Sequence, residues 1–505
     1  MNIHERIRND GLHGRIITAE AAANMFEDGM VVGVSGFTPS GYPKAIPLAL
    51  AQRVRRSGEK LKLTLLTGAS VGDELDGAWT EAGIISKRAP YQTNGACRES
   101  LNTSGGIEYI DMHLSRAPKE VRSGLFGPMD YAVIEACAIT EDGDIVPTTA
   151  VGNSPAYVQY AKKVLVEINT SQPLALEGMH DIYVPRDPPD TAPIPLCSAG
   201  GRIGAPHIVC GPGKIAGIVI TDIPDNTRGF YAVEEIHRAM ARNLLDFLRG
   251  EVKAGRLGPK LPPLQSGVGS AANAVLAGIG DSEFRGLEFY SEVIQDSALD
   301  LLDRGTFSIC SGTAVSPSPG RLKDFYENID KYRDKIILRP QEISNSGEVV
   351  ARLGVISMNT AIEADIYGNV NSSHIMGTRM MNGIGGSGDF ARNASISIFL
   401  TPSTASGGKI SCIVPMCSHI DHTEHDVGVI ITERGAADIR GASPRERAPL
   451  IINNCAHPDY RDALLDYYRR ALTGAHAGKA HTPHLMGEAL SWHQRFNDTG
   501  SMKTH

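Results

Sequence analysis

Three features of the 505-residue chain predict an α/β fold with open, mainly parallel sheets. Apolar runs of strand length recur between segments of helical spacing. The runs lack strict polar alternation, as strands covered on both faces do. Gly, Asp or Asn bounds them. In chain order, KAIPLALAQRVRRSGEK (44–60) reads as a helix, LKLTLLTG (61–68) and DYAVIEACAI (130–139) as strands, and SPAYVQYAKK (154–163) as a second helix. KKVLVEIN (162–169) and KIAGIVITD (214–222) continue the strand series. After the turn-rich DIPDNTRG (222–229), YAVEEIHRAMARNLLDFLRGEV (231–252) is the clearest amphipathic helix. That break predicts two domains, 1–228 and 229–505.

The second domain repeats the theme with KIILRPQEI (335–343), GKISCIVPM (408–416) and VGVIITE (427–433) as strands. Ser35-Gly36 and Ser266-Gly267 each open a glycine loop ahead of a helical segment, and DYAVIEACAITEDG (130–143) is echoed by DVGVIITERG (426–435). The echo suggests related α/β halves, although two strands of similar composition produce the same match. The polar stretch from about Gly474 to His505 is expected to wrap the surface.

Composition bounds the function. Lys and Arg number 49 against 57 Asp and Glu, a net charge of −8, and aromatic residues are only 6%. Neither a general attraction for nucleic acid or anionic membrane nor a base-stacking platform follows from this balance. No apolar run approaches the ~18 residues of a membrane span. The first residues, with Glu5 and Asp10, fit neither a secretory signal nor an acid-poor transit peptide. Eight scattered cysteines suit a reducing compartment, and a cytoplasmic location is expected. Glycine, at 54 residues, is in mild excess over the usual ~7%. It gathers in short loops of the kind that bring backbone close to ligands.

Two of those loops carry candidate chemistry. In MNGIGGSGDF (381–390), Gly383, Gly385 and Gly388 have the GxGxxG spacing of a dinucleotide fingerprint. A clear preceding strand and an acidic ribose ligand are lacking, so the loop reads either as an oxyanion or phosphate cradle or as a plain turn. In LQSGVGSAANAVLAGIG (264–280), Gly267 and Gly269 flank Val268, and Ser270 is expected to cap a helix through Leu276. Glu292 stands in the apolar run FYSEVI, expected at a strand end. A carboxylate there is either ion-paired or used as a nucleophile. CSHIDHTEHD (417–426) holds Cys417, His419, His422 and His425, which are zinc-ligand types without zinc-site spacing. No phosphate-binding P-loop pattern occurs.

SGFTPSGYPKA (35–45), LPPLQSGVGSAANAVLAG (261–278), YSEVIQDS (290–297), MNGIGGSGDFARN (381–393) and ITERGAADIRG (431–441) together resemble the class I coenzyme A-transferases. Within them, the set is similar to the acetyl-CoA hydrolase/transferase branch and its succinyl-CoA:acetate CoA-transferases. NCAHPDYRDALLDYY (454–468) and HTPHLMGEALSWHQRFNDTGSM (481–502) extend the likeness almost to the C-terminus. The resemblance implies two related class I CoA-transferase-like α/β domains with the active site between them. It also implies ping-pong transfer of CoA through an acyl-glutamyl anhydride and a glutamyl-CoA thioester on Glu292.

Further roles follow from the same resemblance. Asn345 and Glu433 match active-site positions, and the N–H groups of Val268 and Gly386 match oxyanion donors. Gly267, Val268, Gly269, Ser270, Ala271, Ile362, Asn382, Gly386 and Ser406 match CoA-binding positions, and Arg228 matches a position near the substrate carboxylate. Coenzyme A enters as substrate, with no tightly bound cofactor and no metal, and the chain is expected as a homodimer. The favoured reaction is succinyl-CoA:acetate transfer, with acetyl-CoA hydrolysis and propionyl-CoA:succinate transfer as alternatives. In STASGGK, Ser406 stands where the family commonly has lysine, with Lys409 retained, so one contact to a CoA phosphate is expected to be missing.

Overall fold

The structure, a computed structural model, describes residues 3–227, 229, 233–474 and 479–503. Arg228 lies outside the described residues. The chain divides into two units. The first combines Met1–Gly229 with Glu288–Leu302 and Ser308–Leu353. The second combines Phe230–Leu287, Asp303–Phe307 and Gly354–His505. The segment around Glu292 therefore belongs with the N-terminal unit, although it follows the break at 228/229 in sequence.

The first unit is built on β1 (Val31–Val34), β2 (Leu63–Leu66), β3 (Ile85–Ala89), β4 (Glu108–Tyr109), β5 (Tyr131–Ile139), β6 (Ile145–Pro147), β7 (Lys163–Asn169) and β8 (Ile215–Thr221). Their order is β4-β3-β2-β1-β5-β7-β8, parallel throughout, with β6 added antiparallel to β5. Every residue of β5 is buried, as is β7 after Lys163. Burial on both faces explains the unbroken apolar runs. Strand order reverses between β1 and β5, where doubly wound sheets open a crevice at their carboxyl ends.

A buried polar cluster fills this edge. Lys44 Nζ lies 2.6 Å from Glu135 and 2.8 Å from Asp225, all with inaccessible side chains. Glu167 accepts the backbone N–H groups of Lys44, Ala45 and Ile46, and so covers the start of helix Ala45–Ser57. Burial drives the Glu135 carboxyl above its ordinary range while Lys44 pulls it back.

The later pieces of this unit return by backbone pairing. Val293–Ile294 runs parallel to Ala314–Val315, and Cys310–Gly312 to Ile336–Leu338. Ala314 bridges Ala150, and Leu338 bridges His180. KIILRPQEI is a strand only to Leu338. Pro340 lacks the N–H a strand would use, and Gln341–Ser344 turns into a short helix.

In the second unit, Leu264–Ser266, Ile356–Thr360, Ile396–Leu400 and Val429–Thr432 lie side by side and parallel, and Gly435–Asp438 closes the edge antiparallel. The echoed sequences correspond locally: β5–β6 and the pair 429–432/435–438 are both a parallel strand with an antiparallel return. The amphipathic helix runs Glu235–Lys253 and packs on Ser270–Asp281. Ser270 is the first residue of its helix and Gly269 the cap, which corrects the expected N-cap, and the helix continues past Leu276 to Asp281. GKISCIVPM forms two dipeptide strands, Ile410–Ser411 and Ile413–Val414, in different small sheets. The C-terminal stretch does more than wrap the surface. Helix Ser491–Thr499 drives Trp492 into the core beside Tyr460, and Glu363 pairs with buried His493 at 2.7 Å.

Among the described residues, all eight cysteines are free thiols, and no helix is long and apolar enough to cross a membrane.

Candidate active site

Strand Leu287–Tyr290 ends two residues before Glu292, which lies in the first unit. The Glu292 backbone is pinned. Its C=O accepts the N–H groups of Thr313 (2.7 Å) and Ala314 (3.1 Å), and Ser291 N–H donates to Ser311. A Cβ on Gly312 would stand 2.9 Å from that same carbonyl oxygen, so only glycine allows this approach without movement. Val293 is buried in a small cluster with Phe37, Leu114, Ala150 and Ala314. The neighbours are locked in place while the Glu292 side chain is half-buried.

Asn345 Nδ2 donates to Glu292 Oε1 at 2.6 Å. The asparagine is buried and follows the short helix Gln341–Ser344 as its C-cap. That helix is fixed on three sides. Gln341 N–H donates to Gly152, Gln341 Nε2 donates to Leu114, and Tyr290 OH donates to the Ile343 carbonyl at 2.6 Å. Ser344 Oγ donates to Asn345 Oδ1 at 2.8 Å, which turns the amide NH₂ toward Glu292. Glu342 of the same helix pairs with Arg122 at 2.6 Å, and burial pushes its carboxyl up to about 7. Nothing in the local pattern singles out Ser344 or Glu342. Glu342 matters through Arg122, remote along the chain, and Ser344 through the orientation it gives the neighbouring Asn345 amide.

A cavity of about 600 Å³ in this unit, lined in part by Arg122, Tyr160, Arg186, His207 and Val209, does not reach Glu292 or Asn345.

In the second unit the remaining candidates gather at the carboxyl ends of the parallel strands. Gly267 follows strand Leu264–Ser266 and donates its N–H to Met358 at 2.9 Å. Val268 is 47% exposed, and Gly269 has φ +108°, so the Gly267–Ala271 loop presents backbone outward at a helix start without a side-chain cap. Ile362 lies just past strand Ile356–Thr360, its N–H on Asn371. Gly386 caps helix Ser387–Asn393, which returns the chain to strand Ile396–Leu400, so the helix N-terminus and Asn382 share that edge. Gly383 and Gly385 both have positive φ. Gly383 and Gly385 of GxGxxG therefore lie in a loop after the two-residue strand Arg379–Met380, and Gly388 lies in the first turn of the helix that follows.

Glu433 sits in the turn after strand Val429–Thr432. It accepts the Ser403 N–H at 2.8 Å, bonds Ser403 Oγ, and meets Arg434 at 3.0 Å. Ser406 is exposed at the tip of the hairpin Thr404–Ala405/Ile410–Ser411, with φ +51°.

Fold and site together fit an enzyme class that works on CoA thioesters, and sequence relationships agree. Residues 1–219 match the acetyl-CoA hydrolase/transferase N-terminal domain, and 322–468 match its C-terminal domain. The chain belongs to the acetyl-CoA hydrolase/transferase family, an enzyme family of CoA transfer and acyl-CoA hydrolysis. It is 54% identical to the succinyl-CoA:acetate CoA-transferase of Clostridium kluyveri, over 99% of this chain and 92% of that protein. It is 43% identical to an acetyl-CoA hydrolase of Schizosaccharomyces pombe (99% and 98% covered) and to a propanoyl-CoA:succinate CoA transferase of Escherichia coli (96% and 98% covered). In fold it is similar to RipA from Yersinia pestis, with a TM-score of 0.72 at 21% identity over 92% of this chain and 98% of that one.

Proposed function

We propose that the protein is an acyl-CoA:carboxylate CoA-transferase acting between succinyl-CoA and acetate, with Glu292 as covalent relay. The observation that carries the reading is the half-buried Glu292 carboxylate on a pinned backbone, with one oxygen, Oε1, already held by Asn345. In this reading Oε2 is the attacking atom. It adds to the thioester carbonyl, the C–S bond breaks, and CoA thiolate leaves a succinyl-glutamyl anhydride. The thiolate attacks Cδ of Glu292, expelling succinate and leaving a glutamyl-CoA thioester. Acetate attacks the same Cδ, thiolate leaves again and then attacks the acetyl carbonyl. Acetyl-CoA departs and the free carboxylate is restored. No net proton is consumed, and thioester energy is conserved without ATP.

Charge appears on the substrate's carbonyl oxygen in the outer steps and on Oε1 in the inner ones. The N–H groups of Val268 and Gly386 serve the first, and Asn345 serves the second. Gly267–Ala271, Ile362, Asn382, Gly386 and Ser406 line the path of CoA, Arg228 meets the substrate carboxylate, and Glu433 completes the site. The protein works as a cytoplasmic homodimer. Acetyl-CoA hydrolysis is the second reading, favoured by the hydrolase relative at 43% identity. Succinyl-CoA supplied with acetate, or with water alone, separates them. Transfer predicts acetyl-CoA formed in step with succinyl-CoA lost, and slow loss without acetate. Equal loss with and without acetate, with no acetyl-CoA formed, selects hydrolysis.

A further inference from the structure

One group of side chains in the second unit stands apart from the residues assigned to CoA transfer. His374, in the hairpin His374–Ile375/Arg379–Met380, stands with His419 and Asp421 so that one ligand atom from each lies within 4.8 Å of the others. The two imidazoles stack at 3.8 Å between centroids, tilted by 38°. His419 Nε2 is 3.2 Å from Asp421 Oδ1. His374 and His419 are partly accessible, so an ion has a way in past the imidazoles, while the Asp421 side chain is only 4% exposed.

The surrounding bonds are of the kind that orient metal ligands. Asp421 accepts the Ser372 N–H at 2.7 Å and the Ser373 hydroxyl at 2.7 Å. Ser373 Oγ also lies 2.8 Å from His374 Nδ1. With the serine proton on Asp421, His374 Nδ1–H donates to the serine and its Nε2 keeps a lone pair for a ligand bond. Of the other residues in CSHIDHTEHD, Cys417 is buried with its thiol toward the carbonyls of Glu363 and Asn369. His422 is buried between the hydroxyls of Ser372 and Ser387. The third ligand is supplied from outside that stretch, by His374.

We infer that His374, His419 and Asp421 form a binding site for a transition-metal ion of borderline softness, of the Zn²⁺, Co²⁺ or Ni²⁺ type. Two imidazoles and a carboxylate suit these ions, whereas Mg²⁺ and Ca²⁺ require oxygen donors. Bonds of about 2.0–2.2 Å to a shared ion bring the ligand atoms to roughly 3–3.5 Å apart, and water fills the remaining position. The ion would clamp the 374–380 hairpin to the 419–421 segment. Met381 N–H already bonds the Ser373 carbonyl, and Asn382–Gly386 follows directly, so the clamp acts on the backbone that leads into that loop. The inference is independent of the role of Glu292.

Zn²⁺ equilibrium dialysis and Co²⁺ absorption spectra, on full-length untagged protein without CoA, test it. An exposed group, His4, Asp10 and His13, also brings ligand atoms together, so His13→Gln serves as comparison. Wild type and His13→Gln should hold a Zn²⁺ that excess Mg²⁺ does not displace, and should give intense visible Co²⁺ bands. His374→Gln and His419→Gln should bind at least about tenfold more weakly and lose those bands. The His419 side chain is 37% exposed, so His419→Gln should fold normally and decides the matter if His374→Gln does not fold. Unchanged Zn²⁺ binding in His419→Gln, or no Zn²⁺ bound by wild type, overturns the proposal.

Discussion

Removing the Asn345 amide should slow the inner steps of the reaction far more than substrate binding. Asn345 Nδ2 is 2.6 Å from Glu292 Oε1, the atom that becomes the carbonyl oxygen of the anhydride and of the thioester. When thiolate or acetate attacks Cδ, that oxygen gains nearly a full negative charge. A hydrogen bond to a neutral acceptor contributes about 0.5–1.5 kcal/mol and one to a charged group about 1.5–3. An oxyanion donor can contribute about 2.7–4. Because this bond already exists before the charge develops, the differential should be about 2 kcal/mol, or roughly 30-fold in rate. Asn345→Ala should therefore form the glutamyl-CoA adduct roughly 30-fold more slowly in a rapid-quench single turnover, with KM nearly unchanged. Asn345→Asp should be worse, since a second carboxylate opposes charge on Oε1. Adduct formation within twofold of wild type in Asn345→Ala, or a faster Asn345→Asp, would refute the assignment of Oε1.

Other perturbations carry comparable expectations. Gly269 has φ +108° and no atom within 4 Å of where a Cβ would stand, so Gly269→Ala carries only backbone strain of about 1–3 kcal/mol. KM for acyl-CoA should rise about fivefold or more, while the adduct still forms on Glu292; an unchanged KM contradicts a CoA role for this loop. Ser406→Lys should lower that KM about two- to fivefold, an exposed ion-pair effect of about 0.3–1 kcal/mol that vanishes at high salt. No change at low salt removes Ser406 from the CoA path. Burial holds the Glu342 carboxyl near 7, above its unfolded value, so the folded state binds its proton more tightly. Its contribution to stability is present below about pH 4.5 and lost as pH rises toward 7. Glu342→Gln should flatten the fall in stability over that window, by on the order of 3 kcal/mol and read as a flatter melting-temperature profile, because Asp187 still pairs with Arg122. An unaltered slope counts against this assignment.

Burial decides what can be read in the sequence. β5 and β7 are apolar and buried almost end to end, so their runs announce them. GKISCIVPM has the same composition but is divided between two small sheets, a choice made by distant partners. The tail is polar on average, yet one helical face carries Trp492 and His493 into the core, which average composition hides. Glu292 is visible as a carboxylate in an apolar run. Asn345 is reached only through family resemblance, since nothing local in QEISNSG marks an asparagine that meets a glutamate 53 positions earlier. Lys44 gives no signal for a similar reason, with Glu135 and Asp225 far along the chain. His374 stands apart from the histidine-rich stretch because only the fold brings it there.

The covalent relay is the central claim, and a single measurement addresses it. Wild-type protein mixed with succinyl-CoA alone is analysed by intact mass, then by peptide mapping of the modified segment, beside Glu292→Ala. One CoA adduct per active site is expected on Glu292, discharged by acetate as acetyl-CoA, with neither adduct nor turnover in the variant. An adduct on another residue, or undiminished turnover in Glu292→Ala, would contradict it.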